Sequence, residues 1–185
     1  MREKLRDKTR DELADRLNEI GVSSTLAERD RPEEQVGKRR FLHSLGVIDN
    51  DGGTIYWTNV LRQDGTKDTP PRWLISFGVP DERAIPKDQS IKLKTKRKKS
   101  FPVFGKVAEV NWEGQDRGLG LVKALNANSG ISQTATDLGN IEVRSLHDDF
   151  QGWHIQIDRK IEPTIDHWEA LEELAEILLT SIRRF

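Results

Sequence analysis

The segment "PTIDHWEALEELAEILLTSIRRF" constrains this chain more than any other. Trp168, Leu171, Ala175, Leu178 and Ile182 recur at three- and four-residue spacings, and Leu174, Ile177 and Leu179 widen the stripe. That is the pattern of a helix with one broad apolar face, and such a face must be covered. Thr164 or Asp166 can cap its start, and Asp166 stands before Glu169 at the spacing of a capping box. Glu169, Glu172 and Glu173 crowd the first turns and Arg183 and Arg184 close the end, the order a helix dipole favours.

Upstream, the apolar residues follow a different period. "GTIYWTNVLR" (53–62) is rich in β-branched and aromatic residues and follows the turn cluster "DNDGG". "RWLISFGVP" (72–80) is apolar on both sides, as a central strand should be. The loop "QDGTKDTPP" between them predicts a hairpin. In Ile91–Lys96, Ile91, Leu93 and Thr95 alternate with Lys92, Lys94 and Lys96. Phe104–Trp112 puts Ala108, Val110 and Trp112 on one face. "NIEVRSL" and "GWHIQID" read as an antiparallel pair joined by "HDDFQ", with Trp153, Ile155 and Ile157 facing one way and His154, Gln156 and Asp158 the other. Leu121, Val122 and Leu125 suit a short helix, and Ser132 to Leu138 a further helical turn. The tryptophans sit in phase with apolar neighbours, so they are expected in a core rather than on a binding surface.

Helix on sheet gives the expected class: α+β, an antiparallel or mixed sheet of about five to seven strands with a long C-terminal helix packed on it and a polar helical N-terminus. Two units are expected, a helical N-terminal segment over 1–40 and an α+β domain over 41–185. In the first, Leu13, Leu17 and Ile20 form a narrow stripe that Gly21 can end. A second helical piece is expected from Ser24 to about Arg31, stopped by Pro32. A helix this polar is marginal alone. Its stripe must pack within the chain or hold a partner, and Leu13, Leu17 and Ile20 are the candidate contacts.

Composition narrows function by exclusion. There is no cysteine, so disulfides, cysteine-ligated metal and a thiol nucleophile are ruled out. Thirty basic residues balance 31 acidic ones, so any affinity for a polyanion must come from local clustering. No apolar run reaches membrane-spanning length and no membrane partner is expected. The charged N-terminal stretch lacks the apolar core of a secretory signal, so a cytoplasmic location is expected. No H-E-x-x-H or G-x-S-x-G occurs, and "GLGL" lacks the residues of a phosphate loop. No cofactor is expected.

One cluster stands out. Between Gln89 and Ala108 there is no acidic residue, and Lys92, Lys94, Lys96, Arg97, Lys98 and Lys99 place six positive charges in eight residues. With Lys106 nearby they can neutralise phosphates, and Phe101 and Phe104 can stack on unpaired bases. The competing reading is a lysine-studded sheet edge ending in a solvated hairpin loop. The leading expectation is therefore a non-catalytic module that contacts a polyanion, nucleic acid first, through 92–106. A protein–protein adaptor or oligomer subunit using its terminal helices is the alternative. Metal-dependent nuclease-type chemistry with Asp137, Glu142 and the His147–Asp149 turn ranks third; Arg144 there replaces the deprotonatable lysine such sites use.

Overall fold

The computed structural model describes residues 7–83, 87–99, 107–146 and 150–181. Its elements run in the order α1 (Thr9–Glu19), β1 (Ser23–Leu26), β2 (Leu42–Asp51), β3 (Trp57–Gln63), β4 (Arg72–Pro80), β5 (Lys92–Lys99), β6 (Val107–Gln115), α2 (Leu121–Ala127), α3 (Ser129–Leu138), β7 (Ile141–Leu146), β8 (Gly152–Ile157) and α4 (Ile165–Ser181). A 3-10 turn at Pro32–Gln35 stands between β1 and β2. The strands form one antiparallel sheet in the order β1-β2-β3-β4-β8-β7-β5-β6. The α+β class is as expected, with eight strands among the described residues rather than five to seven. No helix among the described residues is long and apolar enough to cross a membrane.

Strand alternation sorts the side chains into two faces. Leu93, Val143, Ile155 and Phe77 share one row across β5, β7, β8 and β4; Ile141, Ile157, Ile75 and Val60 share the next. All of them are buried, in one core with Leu13 and Leu17 of α1, Leu121 and Leu125 of α2, Ile131 of α3, and Trp168, Leu171, Leu174 and Leu178 of α4. The four helices thus cover a single face of the sheet. At the start of α4, Thr164 Oγ1 accepts from the His167 N–H (3.3 Å) and His167 Nδ1 accepts from the Thr164 N–H (3.2 Å). This is a reciprocal cap, with histidine in the place the capping box usually gives to glutamate.

The N-terminal expectations shift. Leu13 and Leu17 are buried in the main core and Ile20 packs half-buried against it, so that stripe is used within the chain. The region expected to be a second helix contains β1, which pairs with β2 from Ser23↔Asp51 to Leu26↔Ile48. Asn18 sets up this pairing, accepting from the Ser24 N–H (3.0 Å) and donating to the Ser24 carbonyl (2.8 Å). At the far end, the outward backbone of β6 meets α2: the Trp112 N–H donates to Asn126 Oδ1 (2.7 Å) and Asn126 Nδ2 donates to the Trp112 carbonyl (3.0 Å).

Candidate polyanion interface

The face away from the helices carries a small apolar cluster of Ala27, Val36, Val47 and Trp57 at its β2–β3 end and turns polar toward β5 and β6. On β5, Leu93 and Thr95 turn toward the helices and are buried, while Lys92, Lys94, Lys96 and Lys98 stand exposed on the opposite side. Lys92 lies across from Gln115 and Arg144, Lys94 from Glu113 and Glu142, Lys96 from Asn111, and Lys98 from Glu109. The loop part of the competing reading gives way, because "TKRKK" is strand; β6 is the last strand of the sheet, and β5 has partners on both sides over Lys92–Lys94.

Carboxylates of β6 answer three of the lysines. Lys94 Nζ is 3.4 Å and Lys96 Nζ 3.8 Å from Glu113, and Lys98 Nζ is 3.1 Å from Glu109. The Asn111 amide and then Lys98 hold the Glu109 carboxyl below its ordinary range. Exposed pairs of this kind contribute about 0–1 kcal/mol each, so phosphate oxygens can displace them at little cost.

Arg97 points the other way. Its Nη2 donates to the Thr136 carbonyl of α3 (2.7 Å), and its Nε is buried without a hydrogen-bond partner. Burial, and then the nearby Arg159, pull its guanidinium below the ordinary arginine value, with Asp158 and Asp137 acting against them.

A second basic segment reaches the same face. The chain between β1 and β2 crosses the sheet as a strap. Arg31 fixes its start, pairing with Asp49 (2.6 Å) and Glu33 (2.9 Å). Asn59 donates to the Glu33 carbonyl at 3.0 Å. At Gly37 the strap lies so close that a Cβ would fall 2.8 Å from the His154 ring, and its φ of +76° also favours glycine. Lys38, Arg39 and Arg40 follow. Arg39 extends to β7, 3.5 Å from Glu142, which also takes a hydrogen bond from Arg144. Arg40 lies over the ring of Phe41 (5.0 Å to its centroid), a residue that is 73% exposed.

The two basic segments meet at a notch. β7 pairs with β5 only over Lys92–Lys94, while β5 continues to Lys99 beside β6 alone. Thr95 Oγ1 takes over where the ladder stops, accepting from the Ile141 N–H at 2.8 Å. Beyond it a cavity of about 440 Å³ opens, lined by Arg39, Leu74, Lys94, Lys96, Arg97 and Gln156 among others, with Glu142 and Asp158 on its wall.

His154, Gln156, Ser76 and Asn59 are buried beside the strap. Gln156 Nε2 donates to Ser76 Oγ (3.2 Å). His154 Nε2 has no partner, and burial first, then Arg144, lower its pKa to about 4.

The expected site residues are thus distributed unevenly. Lys92, Lys94, Lys96 and Lys98 form a ladder, Arg97 lies beneath it, and Lys99 ends β5. Phe101, Phe104 and Lys106 lie outside the described residues, as does the His147–Asp149 turn. Asp137 accepts from Gln133 and sits 3.2 Å from His167, whereas Glu142 is held by Arg144 and Arg39. No group of three or more acidic or histidine side chains among the described residues is placed to hold a metal. Sequence reasoning missed Arg39, although "GKRRF" carries three adjacent cations before an aromatic; what hides its role is the strap that takes it to β7. Comparison of the chain with known protein families, with curated proteins and with solved structures finds no match.

Proposed function

We propose that this protein is a non-catalytic cytoplasmic binding module that holds a polyanion, nucleic acid before any other, on the lysine ladder of β5. One observation carries this reading. Arg39 and the β5 lysines are more than fifty residues apart in the chain, yet they line one notch in one face. Solubility needs no such convergence, since scattered surface charge provides it. The flanking glutamates do not argue against binding, because exposed ion pairs exchange readily for phosphate contacts. Phe41, exposed beside Arg40, offers a surface on which a base can stack.

The test is a salt titration of binding to single- and double-stranded oligonucleotides. The wild type is compared with a variant carrying Arg39→Ala, Lys94→Ala, Lys96→Ala and Lys98→Ala. Each phosphate contact on a single strand contributes about −0.7 to the log–log salt slope, so the variant's slope should flatten by two units or more. Equal slopes for both proteins, or no binding at low salt, would refute the reading.

A further inference from the structure

A flat row of lysines can hold phosphates without a cavity, yet here the ladder borders one. The notch is about 440 Å³, within the range of about 300–1,000 Å³ typical of small-ligand sites. Its lining is mixed in a particular way. Arg39, Lys94 and Lys96 bring positive charge, while Leu74 contributes a half-buried apolar surface. Gln156 has one end of its amide tied to Ser76 Oγ and the other available to whatever enters. Arg97 also lines the notch, and its buried Nε is a donor that lacks an acceptor.

A ligand that is anionic at one end and flat and hydrogen-bonding at the other fits this lining. A duplex keeps the faces of its bases stacked inside, whereas a single strand can turn one nucleotide out. Building on the polyanion reading above, we infer that the notch receives one nucleotide unit. Its phosphate lies among Arg39, Lys94 and Lys96, and its sugar and base lie against Leu74 and Gln156. The unit is either a residue of a single strand or a free nucleoside monophosphate.

Two variants probe the notch while leaving the ladder intact. Leu74→Trp fills it, and Gln156→Leu removes its hydrogen-bonding amide without changing its charge. Both are checked for native circular dichroism and unchanged thermal unfolding, so a folding failure in one leaves the other to decide. Binding is measured to a short single-stranded oligonucleotide and to inorganic polyphosphate, which has the charge but no base. Each variant should weaken oligonucleotide binding about tenfold, the size of one lost base contact, with the salt slope unchanged and polyphosphate binding within about twofold of wild type. Displacement of the oligonucleotide by a free nucleoside 5′-monophosphate assigns the notch to a free or terminal nucleotide. Displacement only by a dinucleotide assigns it to an internal one, and either result supports the inference. Wild-type affinity for the oligonucleotide in a folded variant overturns it and leaves the polyanion reading standing. A wild-type protein that binds neither probe at low salt removes both.

Discussion

The polar face of the sheet divides into two halves that follow the same alternation and meet different fates. Over β3, β4 and β8 it is covered by the strap, and its polar residues are neutral, buried and partly paired: Asn59, Ser76, Gln156 and His154. Over β5, β6 and β7 it is open, and most of its residues are charged: the four lysines, Glu109, Glu113, Glu142 and Arg144, with Asn111 and Gln115 among them. Period-two polarity looks the same in both halves. The chemistry differs because burial penalises a charge far more than a hydrogen-bonded amide or hydroxyl. Charge is therefore confined to the open half, and the notch lies where that half borders the covered one.

The largest expected effect tests whether the strap holds the covered half closed. Gly37→Val places a branched side chain against the His154 ring at a left-handed backbone position. Overpacking and the strained φ together should cost about 4 kcal/mol, read as a lower urea midpoint. An unchanged midpoint would mean the strap is not pinned there.

Next is pH. His154 has its pKa lowered from 6.5 to about 4 in the folded protein. Between those values the unfolded chain binds the proton and the folded one does not. Stability is therefore full above about pH 6.5 and falls as the pH drops toward 4, by about 3 kcal/mol at 1.36 kcal/mol per unit. His154→Asn should flatten that part of the urea-stability profile. A wild-type profile level from pH 7 to 4 would mean the covered half admits water.

The open half should respond differently. Glu113→Gln removes the carboxylate that faces Lys94 and Lys96. It should raise affinity for polyphosphate about two- to fivefold, as one screened charge is lost. Smallest of all, Lys98→Ala should change unfolding free energy by no more than about 0.5 kcal/mol while still weakening polyanion binding. A stability loss comparable to that of Gly37→Val would erase the distinction between the halves.

Much of this fold could be read along the chain. α4 and the β7–β8 pair show a period, and the β3–β4 hairpin shows itself by β-branched and aromatic runs around a turn-rich loop, because all of them pack against the same core. β2 was obscured by its own residues. Asp49, Asn50 and Asp51 look like a turn, but in the sheet Asp49 pairs with Arg31 and Asn50 hydrogen-bonds with Ser24 and Thr58. β1 exists only because β2 is there to pair with it. The lysine ladder was visible as charge, though its place inside the sheet was not, since strand order is not local information. The notch was hidden for the same reason: it arises from unequal strand lengths and from a strap that crosses the face.

The paired contacts between Asn126 and Trp112 bear on whether the molecule stays single in a crowded cell. A sheet that ends in a bare strand is a template to which a further chain can add, and then another. On β6 the side-chain amide of Asn126 imitates one residue of a missing neighbour, offering an acceptor and a donor in the positions a ninth strand would use. A strand adding at β6 would first have to displace this pair, a stop one residue long carried by the chain itself.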